Sequence, residues 1–176
     1  MIFRTERLCF REITAADFPD VASVLMDDEV MYAWEGGFSA EQTRQWMDRT
    51  IGRYAELGYG HWFVEDARTG EFIGLIGIIR EVVDDAPYFG LGYMLKKEHW
   101  GKGYAMEGAK SCLEYAFDVL DADRVIAEIR PENVSSRKLA ERLGMSAQKE
   151  IMKNYNGKNM PHLVYSVTKE DYRRGI

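Results

Sequence analysis

The chain has 176 residues, 46% of them hydrophobic and 30% charged, with a formal net charge of −6. That length fits a single domain spanning 1–176. The acidic balance disfavours nucleic acid, whose binding rests on clustered Lys and Arg, and mildly suits a cationic partner such as an amine. The longest apolar runs, such as 72–79, fall well short of a bilayer span, and the first residues lack the apolar core and cleavage site of a secretory signal, so a cytoplasmic protein without a membrane partner is expected. Cys9 and Cys112 are too far apart for a CxxC pair and are expected to be buried free thiols. His61, His99 and His162 show no metal-ligand spacing, so no metal is expected.

In chain order, Leu8, Phe10 and Ile13 suggest a first strand. Thr14 with Asp17 then opens a helix to about Met26, and Ser39 with Gln42 repeats that capping signature for a second helix carrying Trp46, Met47, Thr50, Tyr54 and Leu57 at helical spacing. The period then changes. Residues 61–65 and 72–80, separated by the turn residues Arg68-Thr69-Gly70-Glu71, read as a β-hairpin, and 87–95 reads as a further strand. From Gly103 a strong helix follows, with Ala105, Ala109, Cys112, Leu113, Ala116, Phe117 and Leu120 on its apolar face. A strand at 124–129, a helix from Asn133 to Leu143 closed by Gly144, and strands at 146–155 and 163–168 complete the pattern. The expected fold class is mixed α/β: one central, mostly antiparallel sheet with helices on both faces.

The stretch richest in chemistry is Trp100-Gly101-Lys102-Gly103-Tyr104-Ala105, which runs from a strand into the strong helix. A glycine turn there exposes the first helix amides, which have no internal partners and carry the positive end of the macrodipole, so it suits an anion. A Walker A loop is excluded because no GK followed by Ser or Thr is present, and a dinucleotide fingerprint fails at Met106. A tight strand-to-helix turn without a ligand remains the competing reading of two glycines alone.

This hexapeptide resembles the Q/R-x-x-G-x-G/A pyrophosphate loop of the GNAT superfamily of N-acetyltransferases, with Trp100 at the first position. WGKGYA followed by Glu107 is similar to the Rim-type branch that acetylates ribosomal-protein N-termini. The segment Arg130 to Leu139, continuing to Leu143-Gly144-Met145, resembles that branch's N-x-x-S element, with Met145 in place of the aromatic residue. The likeness extends more weakly over most of the chain.

The resemblance implies the acyl-CoA N-acyltransferase fold and acetyl-CoA as cosubstrate. Tyr93, Met94 and Leu95 would lie along pantetheine through backbone groups, with an N–H near Leu95 facing the thioester carbonyl. Gly101, Lys102, Gly103, Tyr104, Ala105 and Met106 would surround the pyrophosphate. Asn133 would hold pantetheine, although Asn also serves well as a helix N-cap. Glu128 occupies the position of the branch's base, with a solvated strand-end carboxylate as the alternative. Ser136 stands where a serine can protonate the leaving thiolate, or is a first-turn helix serine. The tyrosine acid of other family members is replaced by Ala140. Tyr32, Trp34 and Glu35, with Trp46, would line the acceptor amine, which the resemblance leaves as a protein N-terminus or a small molecule, in a monomer or homodimer. A coenzyme A-binding protein without catalysis is the alternative.

Overall fold

In a computed structural model that describes residues 1–155 and 157–175, the strands are β1 (Phe3–Arg4), β2 (Leu8–Arg11), β3 (His61–Asp66), β4 (Phe72–Val83), β5 (Ala86–Leu95), β6 (Arg124–Ile129), β7 (Ser146–Tyr155) and β8 (Lys158–Thr168). The helices are α1 (Phe18–Leu25), α2 (Ala40–Leu57), α3 (Tyr104–Asp118), α4 (Val134–Arg142) and α5 (Lys169–Arg174). The strands form an open mixed sheet in the hydrogen-bonded order β1-β2-β3-β4-β5-β6-β8-β7. Only β5 with β6 is parallel among the described pairings. The chain divides into two compact units, residues 1–79 with 92–111 and residues 80–91 with 112–176, so β4, β5 and α3 each run through both.

The first unit shows why alternation in its strands buries two faces. Phe63 and Leu75, a cross-strand pair, join Ile13, Val21, Leu25 and Met47 in one core beneath α1 and α2. The opposite face carries Leu8, Phe10 and Ile76 under α3, where a Cβ on Gly108 would stand 2.3 Å from Ile76 Cδ1. Gly108 therefore lets α3 approach the sheet closely. The second helix starts as its sequence dictates: the Ser39 hydroxyl accepts from Gln42 N at 3.1 Å, and Gln42 Oε1 accepts from Ser39 N at 2.8 Å.

In the second unit β6 lies between β5 and β8, and β8 also pairs along β7. The parallel ladder registers Phe89 with Val125 and Gly90 with Ile126, after which both strands continue. β8 begins at Lys158, five residues before its expected start. The polar run Lys158-Asn159 and Pro161 hid it, and Pro161 is tolerated because β6 joins β8 only from Leu163 onward, leaving β7 as its partner there. The short β1 and α5 were also not expected. Cys112 is fully buried and burial pushes its thiol up, whereas Cys9 is half-buried, which corrects the expectation of two buried thiols.

Replacing Gly77 tests this packing, because an added Cβ would stand 2.0 Å from the carbonyl oxygen of Gly60, the residue before β3. Gly77→Ala is expected to lower the free energy of unfolding by ~1–3 kcal/mol, read as a lower urea midpoint at unchanged slope.

Candidate active site

β5 ends at Leu95 and α3 begins at Tyr104, and the residues between them are anchored rather than loose. Lys96 N donates to Ile73 O at 3.1 Å, and Trp100 Nε1 donates to Leu95 O at 3.0 Å. His99, which the sequence offered only as a histidine without metal-ligand spacing, is buried, with its ring edge-on to Tyr104 at 5.9 Å. Gly101 (φ 72°) and Gly103 (φ 82°) adopt the left-handed conformation that glycine reaches without Cβ strain, and both are exposed. Glu107 N donates to Gly103 O at 3.1 Å, which starts the ladder of α3. The amides of 103–106 precede that ladder and have no acceptor within the helix.

The first turn of α3 is clamped from its other side. Glu107 Oε1 accepts from Thr5 Oγ1 at 2.5 Å and from Arg7 N at 3.0 Å, and Oε2 accepts from Arg7 Nε at 2.5 Å. Arg7 Nη1 donates to Lys102 O at 2.9 Å, and its guanidinium lies 4.6 Å above the Tyr104 ring. A Cβ on Gly103 would stand 3.3 Å from Arg7 Nη2. Burial alone would raise the proton affinity of Glu107. The hydrogen bonds from Thr5 and Arg7 outweigh it and hold the carboxyl below its ordinary range. Sequence reasoning named Glu107 only as part of a motif and missed Arg7, because the two lie 100 residues apart.

In the second unit, Glu128 on β6 has a side chain only 4% exposed. It is not the solvated strand-end carboxylate considered as an alternative. It accepts a hydrogen bond from Lys153 Nζ on β7 through Oε2, while Oε1 is buried without a hydrogen-bond partner. Lys153 Nζ also lies 3.5 Å from Glu81 on β4. Burial by itself would lower the Lys153 pKa, but Glu81 and Glu128 together hold its ammonium above the ordinary lysine range. Burial pushes the nearby Tyr155 phenol up and the His162 imidazole down, and those rings lie 5.7 Å apart.

Asn133 is the N-cap of α4, accepting from Ser136 N at 3.2 Å and from Ser135 Oγ at 3.1 Å. Ser136 is thus a first-turn helix residue. The buried Ala140 occupies the position of the absent tyrosine. In the first unit, Tyr32 and Trp34 share one helical turn that ends at Glu35 in the left-handed conformation. Tyr32 is exposed, whereas Trp34 and Trp46 pack on the core, with Trp46 5.5 Å from His61. Burial, then the charge of Arg53, pushes the His61 imidazole down to about 4. Among the described residues no group of His, Cys, Asp and Glu side chains is placed to hold a metal, and no helix is long and apolar enough to cross a membrane.

A sequence model of the acetyltransferase (GNAT) domain matches residues 7–146. The chain belongs to the GNAT acetyltransferase family. This acetyltransferase is 30% identical over 174 residues to the uncharacterized N-acetyltransferase YoaA of Bacillus subtilis, covering 96% of this chain and 97% of that one. It is 35% identical over 150 residues to the uncharacterized protein YkkB of the same organism, covering 85% and 87%. A GNAT-family acetyltransferase of Bacillus anthracis superposes with a TM-score of 0.81 at 24% identity, over 95% of this chain and 98% of that one, which shows the shared fold. Membership favours an enzyme that uses acetyl-CoA, the family's general donor, over a coenzyme-binding protein without catalysis.

The clamp on the acetyltransferase loop gives a pH test. A carboxyl whose folded pKa is depressed contributes stability above its unfolded pKa and loses it as pH falls through the folded value. The difference in urea midpoint between wild type and Glu107→Gln is therefore expected to be largest above pH ~5 and to shrink below pH ~4. A difference independent of pH would show that the carboxylate charge does not hold the clamp.

Proposed function

We propose that this GNAT enzyme transfers an acetyl group from acetyl-CoA to an amine by direct attack in a ternary complex, within a single acetyltransferase domain spanning the chain. The observation that carries the reading is the left-handed turn at Gly101 and Gly103, which opens onto the unsatisfied first amides of α3. The residues fit a pyrophosphate. No Cβ stands at either glycine, the helix amides supply donors and partial positive charge, and the Arg7 guanidinium lies beside Gly103.

Gly101, Lys102, Gly103, Tyr104, Ala105 and Met106 are assigned to the pyrophosphate. Tyr93, Met94 and Leu95 are assigned to pantetheine through their backbones, since the Met94 and Leu95 side chains are buried. The Leu95 N–H is assigned to the thioester carbonyl, where it would stabilise the developing oxyanion. Asn133 is assigned to pantetheine in addition to its capping bonds.

Glu128 is the proposed base. An ammonium with a pKa near ~10.4 must lose a proton before it attacks, and a buried carboxylate with an open Oε1 is suited to receive it. The neutral amine then attacks the thioester carbon, the tetrahedral centre collapses to the amide, and the departing thiolate takes a proton, with Ser136 the proposed donor. Tyr32, Trp34 and Glu35 are assigned to the body of the acceptor. The Rim-type motifs favour a protein N-terminus, ribosomal proteins included, and small-molecule amines remain in the same chemical class.

Thiol release from acetyl-CoA with a panel of Ala- and Ser-terminated peptides, polyamines and aminoglycosides tests the reading. Release dependent on at least one amine is expected, and coenzyme binding without release across the panel would contradict it. Gly103→Glu is expected to abolish acetyl-CoA binding in calorimetry, because it places bulk and negative charge at the phosphate site, while Lys102→Ala weakens it less.

Glu128→Gln is expected to keep coenzyme affinity while lowering turnover ~10²–10⁴-fold near neutral pH. The deficit should narrow as pH rises and more of the acceptor is already neutral. Near-normal turnover of Glu128→Gln at neutral pH would move the base to Glu81 or to a water relay.

A further inference from the structure

One ammonium already sits on the proposed base. Lys153 Nζ bridges Glu128 and Glu81, and both carboxylates are largely shielded, with side-chain exposures of 4% and 23%. An acceptor amine reaches the enzyme as a primary ammonium, chemically the same group as the Lys153 terminus. We propose that Glu81 and Glu128 form the ammonium-binding subsite for the acceptor, and that Lys153 occupies this subsite until the acceptor displaces it. The inference rests on the reading of Glu128 as the base.

Charge balance favours exchange over addition. A second cation beside Lys153 would meet its repulsion, whereas one ammonium replacing another leaves the number of buried charges unchanged. Glu128 Oε1, buried and without a partner, is an acceptor that Lys153 leaves unused and that an incoming ammonium can satisfy. Lys153 has somewhere to go. Its side chain is 29% exposed on β7, at the edge of the sheet, and its four-carbon stem can carry the charge into water. Tyr155 on the same strand and His162 on β8 also face the cluster. Burial favours the neutral form of both, so neither adds a competing charge.

The neighbouring surface bears on the carbons next to the acceptor's ammonium. A recess of about 100 Å³ is lined by Val83, Tyr88, Ile126 and Val164, with Arg124 and Lys149 at its polar side. Ile126 shares a strand face with Glu128, and Val164 is the cross-strand partner of Glu128. The subsite therefore suits a primary ammonium on a short apolar body.

Titration of n-butylammonium chloride into the full chain, isotopically labelled at lysine nitrogen, tests this without acetyl-CoA. The Lys153 signal is assigned by its loss in Lys153→Arg. Butylammonium is expected to move that signal towards the position of exposed lysines. Lys153→Met, at unchanged circular dichroism, is expected to bind butylammonium about tenfold tighter than wild type, the equivalent of removing roughly 1.4 kcal/mol of competition. Adding Glu81→Gln should erase that gain.

A Lys153 signal that stays fixed throughout the titration, an affinity in Lys153→Met no tighter than wild type, or an equal response to 1-butanol would overturn the proposal. The wild-type titration needs no variant to fold. Because coenzyme and turnover play no part in it, its failure would leave the acetyl-transfer reading to stand or fall on thiol release.

Discussion

The start of α3 depends on a constraint at its fourth residue. Its capping position is Gly103, which has no side chain with which to satisfy the first amides, so the opening turn gains from any other contact that holds it. Glu107 provides that hold by tying the turn to Thr5 and Arg7, while Gly108 lets the helix sit close against Leu8, Phe10 and Ile76. The opening turn therefore stays organised although its first amides have no acceptor within the helix. The same carboxylate fixes the Arg7 guanidinium beside the loop, where it adds positive charge to the helix terminus. An anion arriving there meets donors already in place, so little ordering remains to oppose binding.

The second unit solves a different problem, which is how to keep a carboxylate in a largely buried place. An isolated buried charge is costly, and Lys153 offsets that cost for Glu128 while Glu81 helps hold the Lys153 ammonium. The resting arrangement therefore keeps an ammonium bonded to the carboxylate proposed as the base. Under the proposed exchange, the cation bonded to Glu128 would become the acceptor itself, and its proton would pass along the hydrogen bond that holds it.

Much of this was legible in the sequence, for local reasons. The capping box at Ser39 and Gln42, the alternation in β3 and β4, and the glycine turn before α3 are each written within a few residues, and the structure has elements at those places. The limits of β6 and β7 follow the sequence pattern to the residue. What was missed is non-local or masked by polar composition. The start of β8 is hidden by Lys158, Asn159 and Pro161, and its pairing with β7 overrides their loop character. His99 looks like a surface residue until the loop folds it against Tyr104. The Glu107 clamp and the Glu81–Lys153–Glu128 cluster join distant segments, so no spacing rule could reveal them.

A crystal structure with coenzyme A shows whether backbone amides at the start of α3 hold the donor's pyrophosphate. Pyrophosphate oxygens are expected within hydrogen-bond distance of amides between Gly101 and Met106, with Glu107 still bonded to Thr5 and Arg7. A coenzyme whose pyrophosphate lies away from this turn, held only by basic side chains elsewhere on the surface, would contradict this assignment.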